Sequence, residues 1–277
     1  MGTQGGESMT FVIGCNEAYM EYAHIFAASA ARNMPKARIY AHLINVTDET
    51  VAVFKKHNPL IEVHRDNASY GDAKNEGVYA GSMYTIPVMH CLERGDLYVF
   101  YFDVDAIIRH PIDSIVSVVG ENDVALLHKI TVKNAQGEHV RFLSSCIVFR
   151  NTPATRAYVA RIIELIRPHL FEWFSDQIYL SRVYEEMKNT LSMGMLPLSY
   201  VDWSCRPGSL VWTMKGNTKV MKEVYRLERL RYEQALGFFE SLSITIKQAF
   251  YQVAALIKRT QIRLVTAIAG VRSQTQQ

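Results

Sequence analysis

Residues Leu97 to Phe102 (LYVFYF) form an unbroken apolar run that stops abruptly at Asp103, Val104 and Asp105. A strand with one face in water alternates polar and apolar side chains. A run without alternation belongs to a strand covered on both faces, the situation of a central strand in an α/β sheet. The segments before it agree. Phe11 to Cys15 (FVIGC) reads as a strand, followed after Asn16 and Glu17 by a helical pattern through Ala23, Phe26, Ala27 and Ala30 that stops near Asn33 and Pro35. Arg38 to Val46 is rich in β-formers, Thr47 and Asp48 offer an N-cap to a helix Glu49 to His57, and Ile61 to His64 is a third short strand. Strand and helix thus alternate three times, the pattern of a parallel sheet covered on both faces.

A polar stretch from Arg65 to Gly77 is too long for a simple turn and is expected to border a functional cleft. Beyond it the pattern gives a helix Met83 to Leu92, strands Val124 to Leu127 and Cys146 to Phe149, and helices Pro153 to Ile166 and Asp176 to Lys188. From Met221 the texture becomes one long amphipathic pattern running through Leu227, Phe238, Ile246, Phe250, Val253 and Ile257. A chain of 277 residues, 49% hydrophobic and 21% charged, is long enough for one large domain with an appendage. The expected division is an α/β domain over residues 9–221 and a helical extension over residues 222–277.

The formal charge is only +3, so the molecule as a whole offers no footprint for a nucleic acid backbone. The imbalance is local. Residues 222–277 carry nine Lys/Arg against four Asp/Glu, leaving residues 1–221 with 21 against 23. The basic extension is expected to self-associate, giving a homo-oligomer, or to lie on a membrane surface with Lys247, Lys258, Arg259 and Arg263 against anionic headgroups. Four scattered cysteines without zinc-type spacing favour a reduced interior. The opening MGTQGGESMTFVIG lacks the features of a secretion signal and reads as a loose leader, and no stretch is long and apolar enough to span a bilayer. A cytoplasmic protein, at most peripheral at a membrane, is the expectation.

Two carboxylates separated by one residue, at the carboxyl end of a buried α/β strand, stand where ligands bind in such folds. In an extended segment residues i and i+2 share a face, so Asp103 and Asp105 could address one ion. Hard oxygen ligands of this kind suit Mg²⁺ or Mn²⁺, which in turn bridge the oxygens of a diphosphate. The bland alternative is a strand end capped by two solvated acids.

The segment YVFYFDVDAIIRHPID resembles the D-x-D signature of nucleotide-sugar glycosyltransferases with the GT-A fold, a Rossmann-like mixed sheet flanked by helices, and is most similar to family 8, the retaining enzymes. Four further segments resemble that family in the same order. FVIGCNEAY, with Cys15 and Asn16, is similar to the strand and loop that hold uracil, and Tyr19 falls where a ring stacks on the base. RFLSSCIVFRN, containing Ser145, resembles the strand that lines the sugar pocket. Ser175, Asp176 and Gln177 resemble the segment in which an acid contacts the donor sugar and an amide lies near the anomeric carbon. GNTK, with Gly216 and Lys219, resembles the closing loop whose lysine contacts the diphosphate. The resemblance implies a donor site of Cys15, Asn16, Tyr19, Asp103, Val104, Asp105, Ser145, Gly216 and Lys219, catalytic roles for Asp176 and Gln177, and a Mn²⁺ or Mg²⁺ ion on Asp103 and Asp105. It implies transfer from a UDP-sugar to a hydroxyl of a glycan, glycolipid or protein.

The chain departs from that pattern where the family has a histidine ligand and this sequence has Thr213, and where an arginine is replaced by Ile86. Asp202 is the substitute considered for the third ligand. Those departures leave open a catalytically weak nucleotide-sugar-binding scaffold. FYFDVDAI also resembles the aspartate-nucleophile phosphatases, which need a downstream acidic pair for which only Glu121 and Asp123 are available. Trp203 and Trp212 could form a platform for the apolar face of a sugar, and Phe171, Trp173 and Phe174 read as core.

Overall fold

A computed structural model describes residues 9–67, 79–133, 139–169, 172, 175–213, 219–233, 242–254 and 257. Its contacts divide the chain into two compact units, one of Met1–Asp202 with Ser209–Thr213, the other of Trp203–Gly208 with Met214–Gln277.

The first unit is built on a seven-stranded sheet in the order β3-β2-β1-β4-β7-β6-β8. These strands are β1 (Met9–Asn16), β2 (Arg38–Ile44), β3 (Ile61–Asp66), β4 (Tyr98–Phe102), β6 (Val124–Lys133), β7 (His139–Arg150) and β8 (Met193–Leu196). Strands β3, β2, β1 and β4 run parallel, and β7 is antiparallel to both β4 and β6, so the sheet is mixed. Two-residue strands β5 (Ile107–Ile108), β9 (Val201–Asp202) and β10 (Val211–Trp212) form a second, small sheet.

Strand β4 occupies the middle position, and all five of its residues are buried. On one face Phe100 and Phe102 pack edge-on against Phe11 of β1, each with centroids 5.5 Å away, over Phe26 of α1 (Met20–Asn33). On the other, Val99 and Tyr101 join a core with Val88 of α3 (Thr85–Glu93), Tyr158 of α5 (Pro153–Ile166) and Leu180 of α6 (Ser175–Met187). Both faces being covered, no position of this strand can be polar without an unpaired buried group, which is why its sequence does not alternate.

Local chemistry fixes the connections. Thr47 caps α2 (Asp48–His57), its hydroxyl accepting from the Thr50 N–H at 3.3 Å, and the Glu17 carboxylate accepts from the Thr47 N–H at 2.9 Å. Thr152 caps α5, which opens with Pro153. A helical turn over 79–82 lies close against β1: a Cβ on Gly14 would meet the Ala80 carbonyl oxygen at 3.3 Å, so the smallest residue is needed there. Between β4 and β5, and in α4 (Asp113–Val119), the chain follows the D-x-D segment. All four cysteines are free and buried.

In the second unit, α7 (Lys219–Glu233) is followed by a further helical stretch over 242–254. Among the described residues no helix is long and apolar enough to cross a membrane.

Candidate functional site

The carboxyl ends of β1 and β4, neighbouring parallel strands, open at the same edge of the sheet. There the predicted geometry of the two aspartates needs correction. Asp103, Val104 and Asp105 are not extended: the Ala106 N–H donates to the Asp103 carbonyl at 2.9 Å and closes a turn. A turn, and not strand alternation, sets their mutual position. The Asp103 N–H in turn donates to the Ser145 carbonyl of β7 at 3.3 Å, which puts the predicted sugar-pocket strand beside the D-x-D turn.

Under this turn lie two tyrosines that sequence reasoning missed. The rings of Tyr84 and Tyr101 stack at 4.0 Å, both fully enclosed, and the Tyr101 hydroxyl is 3.5 Å from Asp103 Oδ1. Burial, then the charges of Asp103, Asp176 and Asp105, push the Tyr101 phenol well up; burial, then Asp176 and neighbouring phenols, do the same to Tyr84. Three predicted site carboxylates therefore bear on one aromatic pair. Tyr101 was legible in principle, since it stands two residues before Asp103.

Asp176 and Gln177 are buried in the first turn of α6. That turn is tied to the 79–82 segment by Ser175 Oγ and Ser82 Oγ, 3.0 Å apart, and Ser181 Oγ accepts from the Arg141 N–H of β7 at 3.1 Å. Asn16 ends β1 and is buried, as is Cys15, whose thiol burial pushes up to about 12. Tyr19 closes the short 3-10 turn Glu17–Tyr19 and is 47% exposed, with the Tyr22 ring 5.8 Å away. Val104 lies in the turn, half-buried. Gly216 falls outside the described residues; Lys219 opens α7, and its side chain is likewise outside them, as are Phe171, Trp173 and Phe174.

Buried polar atoms concentrate at these positions. Asn16 Oδ1, Ser145 Oγ and Gln177 Oε1 have no hydrogen-bond partner among the described residues, and the same holds for Tyr84 Oη and Thr213 Oγ1. Each such atom costs about 1–3 kcal/mol unless something supplies a partner.

As to a metal, Asp103 and Asp105 are hard oxygen donors fit for Mg²⁺ or Mn²⁺. Among the described residues no three His, Cys, Asp or Glu side chains gather to hold an ion. Asp202, the substitute third ligand, is buried and accepts from Ser209 Oγ at 3.1 Å, so it does not complete a triad. With the described residues alone, a cation on Asp103 and Asp105 would need further oxygen donors, such as water or a ligand's phosphates, as is common for Mg²⁺.

Two further expectations are corrected. Trp212 is buried, and the Arg109 guanidinium sits 3.7 Å over its ring, so that face offers no sugar platform. Glu121 and Asp123 precede β6, which runs parallel to β4, and the Arg150 N–H at the end of β7, opposite Tyr98 at the start of β4, donates to the Asp123 carbonyl at 2.8 Å. They lie at the opposite edge of the sheet from Asp103, where a phosphatase could not use them.

No family model and no curated protein matches the sequence. The fold has many solved counterparts. The WbbM bifunctional glycosyltransferase in its apo form superposes with a TM-score of 0.55 at 13% identity, covering 90% of this chain and 53% of that one. The glycosyltransferase GlyE of Streptococcus pneumoniae TIGR4 gives 0.54 at 12%, covering 90% and 64%. The galactosyltransferase LgtC, in complex with donor and acceptor sugar analogues, gives 0.50 at 12%, covering 84% and 99%. The chain thus spans between half and two thirds of the length of WbbM and GlyE. What is shared at such identities is the architecture: a GT-A type α/β fold, as the D-x-D segment led one to expect.

Proposed function

We propose that this chain is a glycosyltransferase of the family 8 type that moves a sugar from a UDP-sugar to a hydroxyl of a glycan, glycolipid or protein, with retention of anomeric configuration. The observation that carries the reading is the set of three buried polar atoms, on Asn16, Ser145 and Gln177, without partners among the described residues. The family resemblance gives Asn16 and Ser145 as donor contacts and Gln177 as a catalytic residue beside the anomeric carbon. A polar donor molecule satisfies such atoms, and an apolar pocket or a packing role does not.

In this reading the exposed Tyr19 ring stacks on the base and the Asn16 amide bonds its edge. Asp103 and Asp105 hold the divalent cation. That cation, when bound, supplies Lewis-acid stabilisation of the charge growing on the diphosphate as the bond from anomeric carbon to phosphate oxygen breaks. Ser145 lines the sugar pocket, Asp176 accepts from a sugar hydroxyl, and the Gln177 amide orients the acceptor hydroxyl near the anomeric carbon. The acceptor proton passes to the departing phosphate oxygen, which leaves as UDP. By the family resemblance, Gly216 and Lys219 are the candidates for a closing loop and its diphosphate-binding positive charge.

Release of UDP from a panel of UDP-sugars with Mn²⁺ tests the reading, comparing the wild type with Gln177→Ala. Turnover in the wild type, reduced in the variant with UDP affinity unchanged, is expected. Thr213 in place of a histidine ligand favours one other reading, a nucleotide-sugar-binding scaffold. Tight UDP binding without turnover on any donor would select it.

A further inference from the structure

Residues 242–254 and Ile257 form a helix that is built inside out. Its polar side chains face the rest of its own unit: Gln248 Nε2 donates to Glu228 Oε2 at 2.8 Å, Gln252 Nε2 to the Cys205 carbonyl at 2.8 Å, and Thr245 Oγ1 accepts from Arg231 at 2.7 Å. Ile244 is buried on that side too, but the helix's other large aliphatic side chains and Phe250 face away. Leu242, Ile246, Phe250, Val253 and Ile257 are each between 45% and 71% exposed. At about 100° per residue Leu242, Ile246, Phe250 and Val253, in steps of four, four and three, fall within about 80° of arc, a single stripe.

A contiguous exposed apolar stripe marks a surface that something covers. Charge decides between the candidates. Residues 241–277 contain five basic residues, Lys247, Lys258, Arg259, Arg263 and Arg272, and no Asp or Glu. Lys247, exposed, borders the stripe. A second copy docking through the same face would set like charges against like charges, whereas an anionic bilayer complements them. Among the described residues no helix, this one included, is long and apolar enough to cross a membrane. We propose that this helix lies in the plane of an anionic lipid surface, with the Leu242–Val253 stripe among the acyl chains and the basic residues at the headgroups.

The proposal does not depend on the sugar-transfer reading, and its test reads no turnover. The full chain is floated with vesicles of phosphatidylcholine alone and of phosphatidylcholine with an equal part of phosphatidylglycerol. Flotation with the anionic vesicles only, weakened by salt and reduced at least tenfold in Ile246→Glu/Phe250→Glu, is the expected result. Both side chains are exposed, so the thermal melt stays as in the wild type; Ile246→Ser/Phe250→Ser gives the same loss without an added charge. Flotation unchanged in both variants overturns the proposal. So does a dimer, seen by light scattering and broken by the same substitutions, in a chain that binds neither vesicle.

Discussion

The rings of Tyr84 and Tyr101 stack with centroids 4.0 Å apart and planes 17° apart, joining the helical segment before the D-x-D turn to the strand that ends in it. The pair is a floor: Tyr101 touches Asp103, and the core of α3, α5 and α6 closes beneath both rings. Truncating Tyr84 to Ala empties a fully buried ring site and is expected to cost about 3–5 kcal/mol in urea melts. Tyr101→Phe removes only a long hydrogen bond to Asp103, and a change within about 1 kcal/mol is expected.

Asp103→Asn and Asp105→Asn change charge without changing shape in a half-buried turn. Turnover of a UDP-sugar is expected to fall about a hundredfold to a thousandfold in each, the magnitude of losing one preorganised stabiliser of a developing charge. The melting temperature is expected to hold, which thermal denaturation checks alongside.

Burial, reinforced by the neighbouring His64, lowers the His42 imidazole from 6.5 to about 4, against the opposing pull of Asp66. Folded, the ring stays neutral; unfolded, it takes up a proton below 6.5, so the unfolded state binds more protons and stability falls as pH drops from 6.5 toward 4. At 1.36 kcal/mol per unit the loss is about 3 kcal/mol. Urea melts at pH 7 and at pH 4.5, where about three quarters of the effect is developed, read it, and His42→Phe is expected to flatten that slope.

Asp96 and Asp123 act in a lower window. Burial works against their ionisation, but hydrogen bonds from Arg94 and Thr10 to Asp96, and from Thr152 and Ser192 to Asp123, hold both carboxyls below the ordinary 3.8. Their stabilisation is present above that value and is lost as pH falls through the folded-state pKa values. Asp96→Asn is expected to cost about 1.5–3 kcal/mol at pH 7 and to remove part of the acid slope below pH 4, both read by denaturant titration.

Cys15 and Cys91 have thiols pushed up to about 12 by burial, and Cys146 and Cys205 are buried as well. The native protein is expected to react slowly with a thiol reagent at pH 8 and to yield four thiols at once in denaturant. A fast native phase would contradict the burial of Cys15 in β1, Cys91 in α3, Cys146 in β7 or Cys205.

The central strand was legible because an apolar run without alternation has one physical explanation, burial on both faces. The helix after Thr47 carried its cap in the sequence, whereas the Thr152 cap of α5 was not read there. Strands β6 and β7 run past their apolar centres, Val124 to Leu127 and Cys146 to Phe149, because ladder hydrogen bonds continue through polar residues that no hydropathy pattern marks. The D-V-D turn was read as extended because alternation is the default after a strand. The Arg109–Trp212 contact joins residues far apart in sequence, and no local signal announces it. Nor does local pattern predict which polar atoms burial will leave without partners; Ser145 and Gln177 came to notice through family resemblance alone.

Isothermal titration of UDP into the wild type and into Asp103→Ala/Asp105→Ala, each with and without Mn²⁺, tests the metal-diphosphate site most directly. The wild type is predicted to bind UDP at least tenfold more tightly with Mn²⁺ present, about 1.4 kcal/mol, and the double variant to show no such gain. Equal manganese-dependent gains in both proteins, or none in the wild type, would contradict the account.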